Sequence, residues 1–252
     1  MNREEFNEMR KEFGDYVYNY EYFQKVGYIT DMYYTNKFSQ ELIKIQKLEI
    51  ENIVMSQSLD LFIKGEKLEN IKNYCEESKN RYSKDYTKFS NKIIKAEQFI
   101  KHHEKMSEDE KKEFEQEYLK FCIELHPVVK CKVNKEENEA YLILRDFYFT
   151  NNYSGFKEFL ELHKDAFKPV EYLETEFNTI SSFYLENKTR INTDYNKRHT
   201  LYPYNKDAVL KDEISIAREQ GELHVNITNL IRTNKELHEK FKAQFGYDYS
   251  VE

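Results

Sequence analysis

Apolar residues recur every three or four positions along most of this chain, the period of a helix that buries one face. Phe38, Ile45, Leu48, Asn52, Met55, Leu59 and Phe62 fall on one such line, with the polar Glu41 as a gap. Asn52 sits inside the seam, where a polar side chain sets register at some cost in stability. Gly65 stops the helix. Leu68, Ile71, Cys75, Ser78 and Tyr82 then start a second line, and Tyr86, Phe89, Ile93, Ala96 and Ile100 continue it after a slip of one residue. A break as short as Lys64-Gly65-Glu66 allows only an antiparallel return. Residues 38–106 are therefore expected to form a helical hairpin, its second arm about 50 Å long at 1.5 Å per residue.

Ser107 opens the next helix with a capping box completed by Glu110. Phe114, Tyr118, Phe121, Cys122 and Leu125 form its apolar face, and His126-Pro127 ends it in a loop. Asn134 caps another helix with Tyr141, Leu144, Tyr148 and Phe149 inward, and Asn151 to Gly155 reads as a turn. Phe156, Phe159, Leu160 and His163 make a short helix. Pro169 restarts the pattern through Leu173, Phe177, Ile180, Tyr184, Ile191 and Tyr195, and Thr200 to Tyr204 interrupts it. Leu223, Ile227, Leu230, Asn234, Leu237 and Phe241 line the last helix, closed by Gly246. Residues 168–252 thus read as a second hairpin around the module 107–167.

Residues 1–37 stand apart. Tyr16, Tyr18, Tyr20, Tyr22, Tyr28, Tyr33 and Tyr34 crowd together, with Gly14 and Gly27 as the expected breaks. A short helix packed on the rest is expected. The alternation of Tyr16, Tyr18, Tyr20 and Tyr22 also suits a strand, although no partner strand is evident.

Composition points to the same class. Six Gly and three Pro in 252 residues are too few for a many-turned β protein. With 34% charged residues the chain favours helices with broad solvated faces, so the fold is expected to be all-α, with elongated coiled-coil-like hairpins. The net charge is −7, and no basic stripe of the kind a nucleic-acid binder carries is visible, so no nucleic-acid partner is expected. Cys75, Cys122 and Cys131 are an odd, scattered set that suits reduced thiols. No apolar run is long enough for a membrane span and the N-terminus lacks a signal-peptide core, so a cytoplasmic location is expected. No Gly-rich phosphate loop, nucleophile motif or metal-ligand cluster occurs, so no enzyme activity, cofactor or metal is expected. His102 and His103 are neighbours about 100° apart on a helix, a poor ligand pair.

The segment from Glu117 to His126-Pro127, followed by Asn134 to Phe149, resembles the J domain of DnaJ-type co-chaperones, in which two packed helices are joined by a His-Pro-Asp loop. Tyr153 to Leu160 is similar to the short helix after the J core in a bacterial subgroup. That subgroup also places a coiled-coil hairpin before the core and a Tyr-Pro break, here Tyr202-Pro203, before a closing helix. The resemblance spans roughly residues 40–245. It implies docking to the seventy-kilodalton heat-shock chaperone through His126, Pro127, Val128 and the helix bearing Lys120. Val128 stands where the family has the Asp that stimulates ATP hydrolysis, and Glu113, Glu115, Glu117 and Glu124 replace the family's basic helix around Lys120. The expectation is a protein-binding scaffold with a degenerate J-like module. An active co-chaperone and a coiled-coil adapter or homodimer of other ancestry are the alternatives.

Overall fold

Where the three-four spacing runs, the chain is helical. The computed structural model describes residues 1–103, 106–164 and 167–249, and these contain α-helices, short 3-10 turns and no strand. The fold is all-α. In chain order the helices are α1 (Arg3–Lys37), α2 (Ser39–Ile63), α3 (Leu68–His103), α4 (Glu108–Glu124), α5 (Pro127–Lys130), α6 (Lys135–Phe149), α7 (Tyr153–Leu162), α8 (Phe177–Arg198) and α9 (Glu213–Phe245).

Local signals set the ends. Ser107 accepts from the Glu110 N–H and Glu110 accepts from the Ser107 N–H. Asn134 and Glu137 make the same reciprocal pair at α6, both bonds 2.9 Å. Gly65 (φ +81) and Gly246 (φ +78) end α2 and α9 in the left-handed region, which glycine enters without strain. His103 closes α3, and Glu104, expected at the same end, lies outside the described residues.

The chain gathers into two compact units, 1–31 with 99–207 and 32–98 with 208–252. These cut across the four consecutive segments read from the sequence. α1 is one unbroken helix whose residues 3–31 belong to the first unit, and neither Gly14 nor Gly27 interrupts it. It packs as a helix on the first unit's cores, as expected, and at 35 residues is longer than the short helix expected. Phe6 stacks on Phe177 at 4.2 Å and Phe13 on Tyr184 at 4.3 Å, joining α1 to α8. Tyr18 and Tyr28 reach the core of Phe114, Tyr118, Phe121, Leu144, Tyr148 and Phe156 shared by α4, α6 and α7. A Cβ built on Gly14 would lie 2.5 Å from Ile123 Cα, so this glycine serves close approach of α1 to α4. Thr150 to Asn152 make the turn expected up to Gly155, which lies inside α7. The restart expected at Pro169 is delayed to α8, with Leu173 69% exposed.

In the second unit α2 turns back into α3 at Gly65. Ser58 Oγ contacts Cys75 Sγ at 3.2 Å, and Tyr74 bonds Gln57. At the expected slip Tyr86 is exposed, and Phe89, Ile93, Ala96 and Ile100 carry the line on as half-buried or buried residues. Tyr86 is free to stand outside because this middle stretch of α3 is largely solvated.

The expected hairpin of 168–252 does not form as a unit. α8 belongs to the first unit and α9 to the second. α9 packs along α2 in parallel: Gln220 bonds Glu41 at 2.8 Å, Asn234 bonds Asn52 at 3.0 Å, and Phe245 meets the Phe62 ring at 5.7 Å. The partner numbers rise together, which fixes the direction.

Candidate functional site

Pro127 cannot donate a backbone hydrogen bond, which suits the first position of a helix. The loop expected at this point is a single helical turn, α5, capped by His126. His126 Nδ1 accepts from the Val128 N–H at 3.2 Å. That leaves Nε2 to carry the proton, 3.0 Å from the Tyr141 hydroxyl. Tyr141 in turn donates to Glu21 Oε1 at 3.0 Å, and Arg145 Nε donates to Glu21 Oε2 at 2.7 Å. A directed chain therefore runs from His126 on the α5 cap through α6 to α1. His126 is 3% exposed. Burial, with a smaller push from Arg145, pulls its pKa down to about 3, so the imidazole is neutral. Burial raises the Glu21 carboxyl, against the opposing pull of Arg145 and Tyr141.

A second ion pair, with Lys25 buried and Glu115 half-buried, lies further along α1. Lys25 Nζ meets Glu115 Oε1 at 2.6 Å and stands 3.9 Å from the Tyr148 ring centroid. Tyr18 donates to Glu115 Oε2 at 2.8 Å, and Tyr148 donates to the same oxygen. Burial lowers the Lys25 ammonium and Glu115 raises it again, leaving it below its ordinary value. A third pair holds the turn itself: Lys130 Nζ bonds Glu137 Oε1 at 2.6 Å. Tyr184 and Tyr172 donate to the carbonyls of Val129 and Lys130 at 2.7 and 2.5 Å.

The resemblance placed docking on four residues. His126 and Pro127 are buried, Val128 is half-buried against the Phe6–Tyr184 core, and Lys120 is exposed on α4. The structure brings the first three together in the turn and leaves Lys120 apart from the polar chain. The seam residues divide more evenly. Ile45, Asn52, Met55 and Ile227 are buried; Leu48, Leu59, Phe62, Leu223, Leu230 and Leu237 are half-buried. The two seams meet each other, and Asn52 also donates to the Leu230 carbonyl at 3.2 Å.

Sequence reading passed over Glu21, Lys25, Glu115, Tyr141 and Arg145 as polar-chain members. One signal was present: Glu21 and Lys25 share a helical face with Tyr18 and Tyr28, among aromatic residues where a charge needs a partner. The identity of each partner, more than 85 residues away, carries no local mark. The three cysteines are free, two of them buried, and burial raises the Cys122 thiol well above its ordinary value. No cluster of three or more metal-ligating side chains occurs among the described residues, and no helix there is long and apolar enough to cross a membrane. No protein-family model matches the chain, and no curated protein and no solved structure does either.

Proposed function

We propose that this chain is a non-enzymatic helical scaffold that binds another protein and does not stimulate a chaperone's ATPase. The observation that carries this reading is the inward face of the His126-Pro127 turn. His126 is spent as a cap and as the head of the chain to Tyr141 and Glu21. One ring nitrogen caps its own turn and the other reaches Tyr141 of α6, so the imidazole faces inward. The groups that otherwise suggest chemistry are engaged in the same way: Glu115 takes donors from Lys25, Tyr18 and Tyr148, and the Cys122 thiol is sealed in the core. The scaffold reading keeps the J-like order of helices as architecture and assigns the turn a structural role.

The test is ATP hydrolysis by a heat-shock chaperone of the seventy-kilodalton class, with the natural chain and with Val128→Asp. The expected outcome is no stimulation by either, because a carboxylate added at a turn whose His and Pro stay buried completes no docking surface. Stimulation by the natural chain would establish an active co-chaperone. Stimulation only by Val128→Asp would show that the turn is reachable and that the lost carboxylate was the missing part.

A further inference from the structure

The chain's total charge hides a local reversal on α3. Between Lys79 and Lys95, in the second unit, the helix carries Lys79, Arg81, Lys84, Lys88, Lys92 and Lys95 against the carboxylate Asp85, a net of +5 in a chain of −7. Five of these cations share one face. At 100° per residue Arg81, Lys84, Lys88, Lys92 and Lys95 fall within an arc of about 80° and along about 21 Å of helix. Arg81, Lys84, Lys88 and Lys95 are exposed, and Lys92 is half-buried. The exposed amides of Asn80 and Asn91 border one side. On the other side Asp85 meets Lys88 at 3.2 Å, an exposed pair of little strength, and Glu77 stands one turn before Arg81. The total charge is a sum and does not report such a stripe.

We propose that this face of α3 binds the phosphodiester backbone of a nucleic acid. It offers donors and cations along one exposed face of the helix, and a duplex presents one negative charge per about 1.7 Å of its axis, so several phosphates are met at once. A protein partner fits less well. Protein interfaces are depleted in Lys and anchored by buried aromatic or apolar side chains, and this face has no such anchor. A membrane surface also fits less well. The exposed apolar residues of the stretch, Tyr86 and Ile94, lie about 120° and 80° round the helix from the stripe's edges, on opposite sides of it, where an interfacial helix needs one apolar face beside it. Screening over about 8 Å at physiological salt confines the repulsion from the rest of the acidic chain. The binding is sequence-independent and stands apart from the scaffold reading.

The experiment is fluorescence anisotropy of a short labelled mixed-sequence DNA duplex titrated with the full chain. The expected dissociation constant lies at roughly 10⁻⁴ to 10⁻⁶ M near physiological salt, and affinity falls roughly a hundredfold from about 50 to 200 mM salt if about four phosphates are contacted. Replacing Arg81, Lys84, Lys88 and Lys95 together by Gln weakens binding at least about tenfold with helicity unchanged. Lys135→Gln, Lys197→Gln and Lys235→Gln together leave the affinity as it was. If the fourfold variant loses helicity, the pair Lys84→Gln and Lys88→Gln is read instead. No binding to the duplex, or equal loss in both variant sets, overturns the proposal. So does binding to acidic-lipid vesicles or to polyglutamate while the duplex is ignored.

Discussion

His126 shows how one side chain can couple pH to the fold. Its folded pKa of about 3 lies below the ordinary 6.5 because burial penalises the imidazolium. Between those values the unfolded chain binds the proton and the folded chain does not, so stability is full above about pH 6.5 and is lost as pH falls toward 3. The whole shift is worth on the order of 5 kcal/mol. Groups facing it act too: Glu21, with a raised carboxyl, contributes in the opposite sense, losing stability as pH rises through its folded value. Asn at position 126 keeps a capping oxygen for Val128 and removes the titration. His126→Asn should therefore be less stable at pH 7 by about 1–3 kcal/mol, yet show a flatter profile in urea unfolding between pH 6.5 and 4.5. Lys25 gives a second test. Lys25→Met removes one of the three donors of the half-buried Glu115 carboxylate, and should cost about 1–3 kcal/mol. Lys25→Met with Glu115→Gln should cost at least about 1 kcal/mol less than the two single changes added, as read from a double-mutant cycle.

At the scale of elements, glycine means different things at different contacts. Gly14 reads as a helix break, yet it lies within α1 because Ile123 of α4 occupies the space a Cβ would need. Ala favours a helix interior by about 1 kcal/mol over Gly. At Gly14 overpacking outweighs this, and Gly14→Ala should lower stability by about 1–2 kcal/mol. At Gly221 nothing lies within 4 Å, so Gly221→Ala should raise stability by up to about 1 kcal/mol. Thermal unfolding of both variants, with opposite signs, checks the packing of α1 on α4. Asn52 illustrates a residue whose role was readable but whose partner was not. A polar seam residue announces a register device, and the device turns out to be Asn234 and the Leu230 carbonyl on α9.

At the scale of the whole molecule, the second unit is assembled from 32–98 and 208–252, with residues 99–207 between them in sequence. The α2 seam is therefore covered from α3 nearby and from α9, far away in sequence. A chain ending at Asp207 retains all of the first unit and lacks α9. It should bind an apolar dye and be cut by protease within 39–63, while 108–198 stays protected. The same protection at 39–63 in both chains would show that α9 does not hold α2.

The helices, their caps and the all-α class were legible because they depend on neighbours within four residues. Ser107 with Glu110, Asn134 with Glu137, and Gly65 and Gly246 at helix ends act over one turn of backbone. The seams of α2 and α9 were legible for the same reason. What each seam faces was not, because an apolar stripe states that it must be covered and says nothing of by what. The antiparallel return at Gly65 followed from chain length alone, whereas the parallel pairing of Asn52 with Asn234 joins positions far apart in sequence. The tyrosine-rich start and the His126 turn differ from expectation on the same ground. Tyr, His, Lys and Glu sit at a surface or in a core according to whether donors and acceptors meet them there, and only the tertiary structure brings Glu21, Tyr141, Arg145 and His126 within reach of one another.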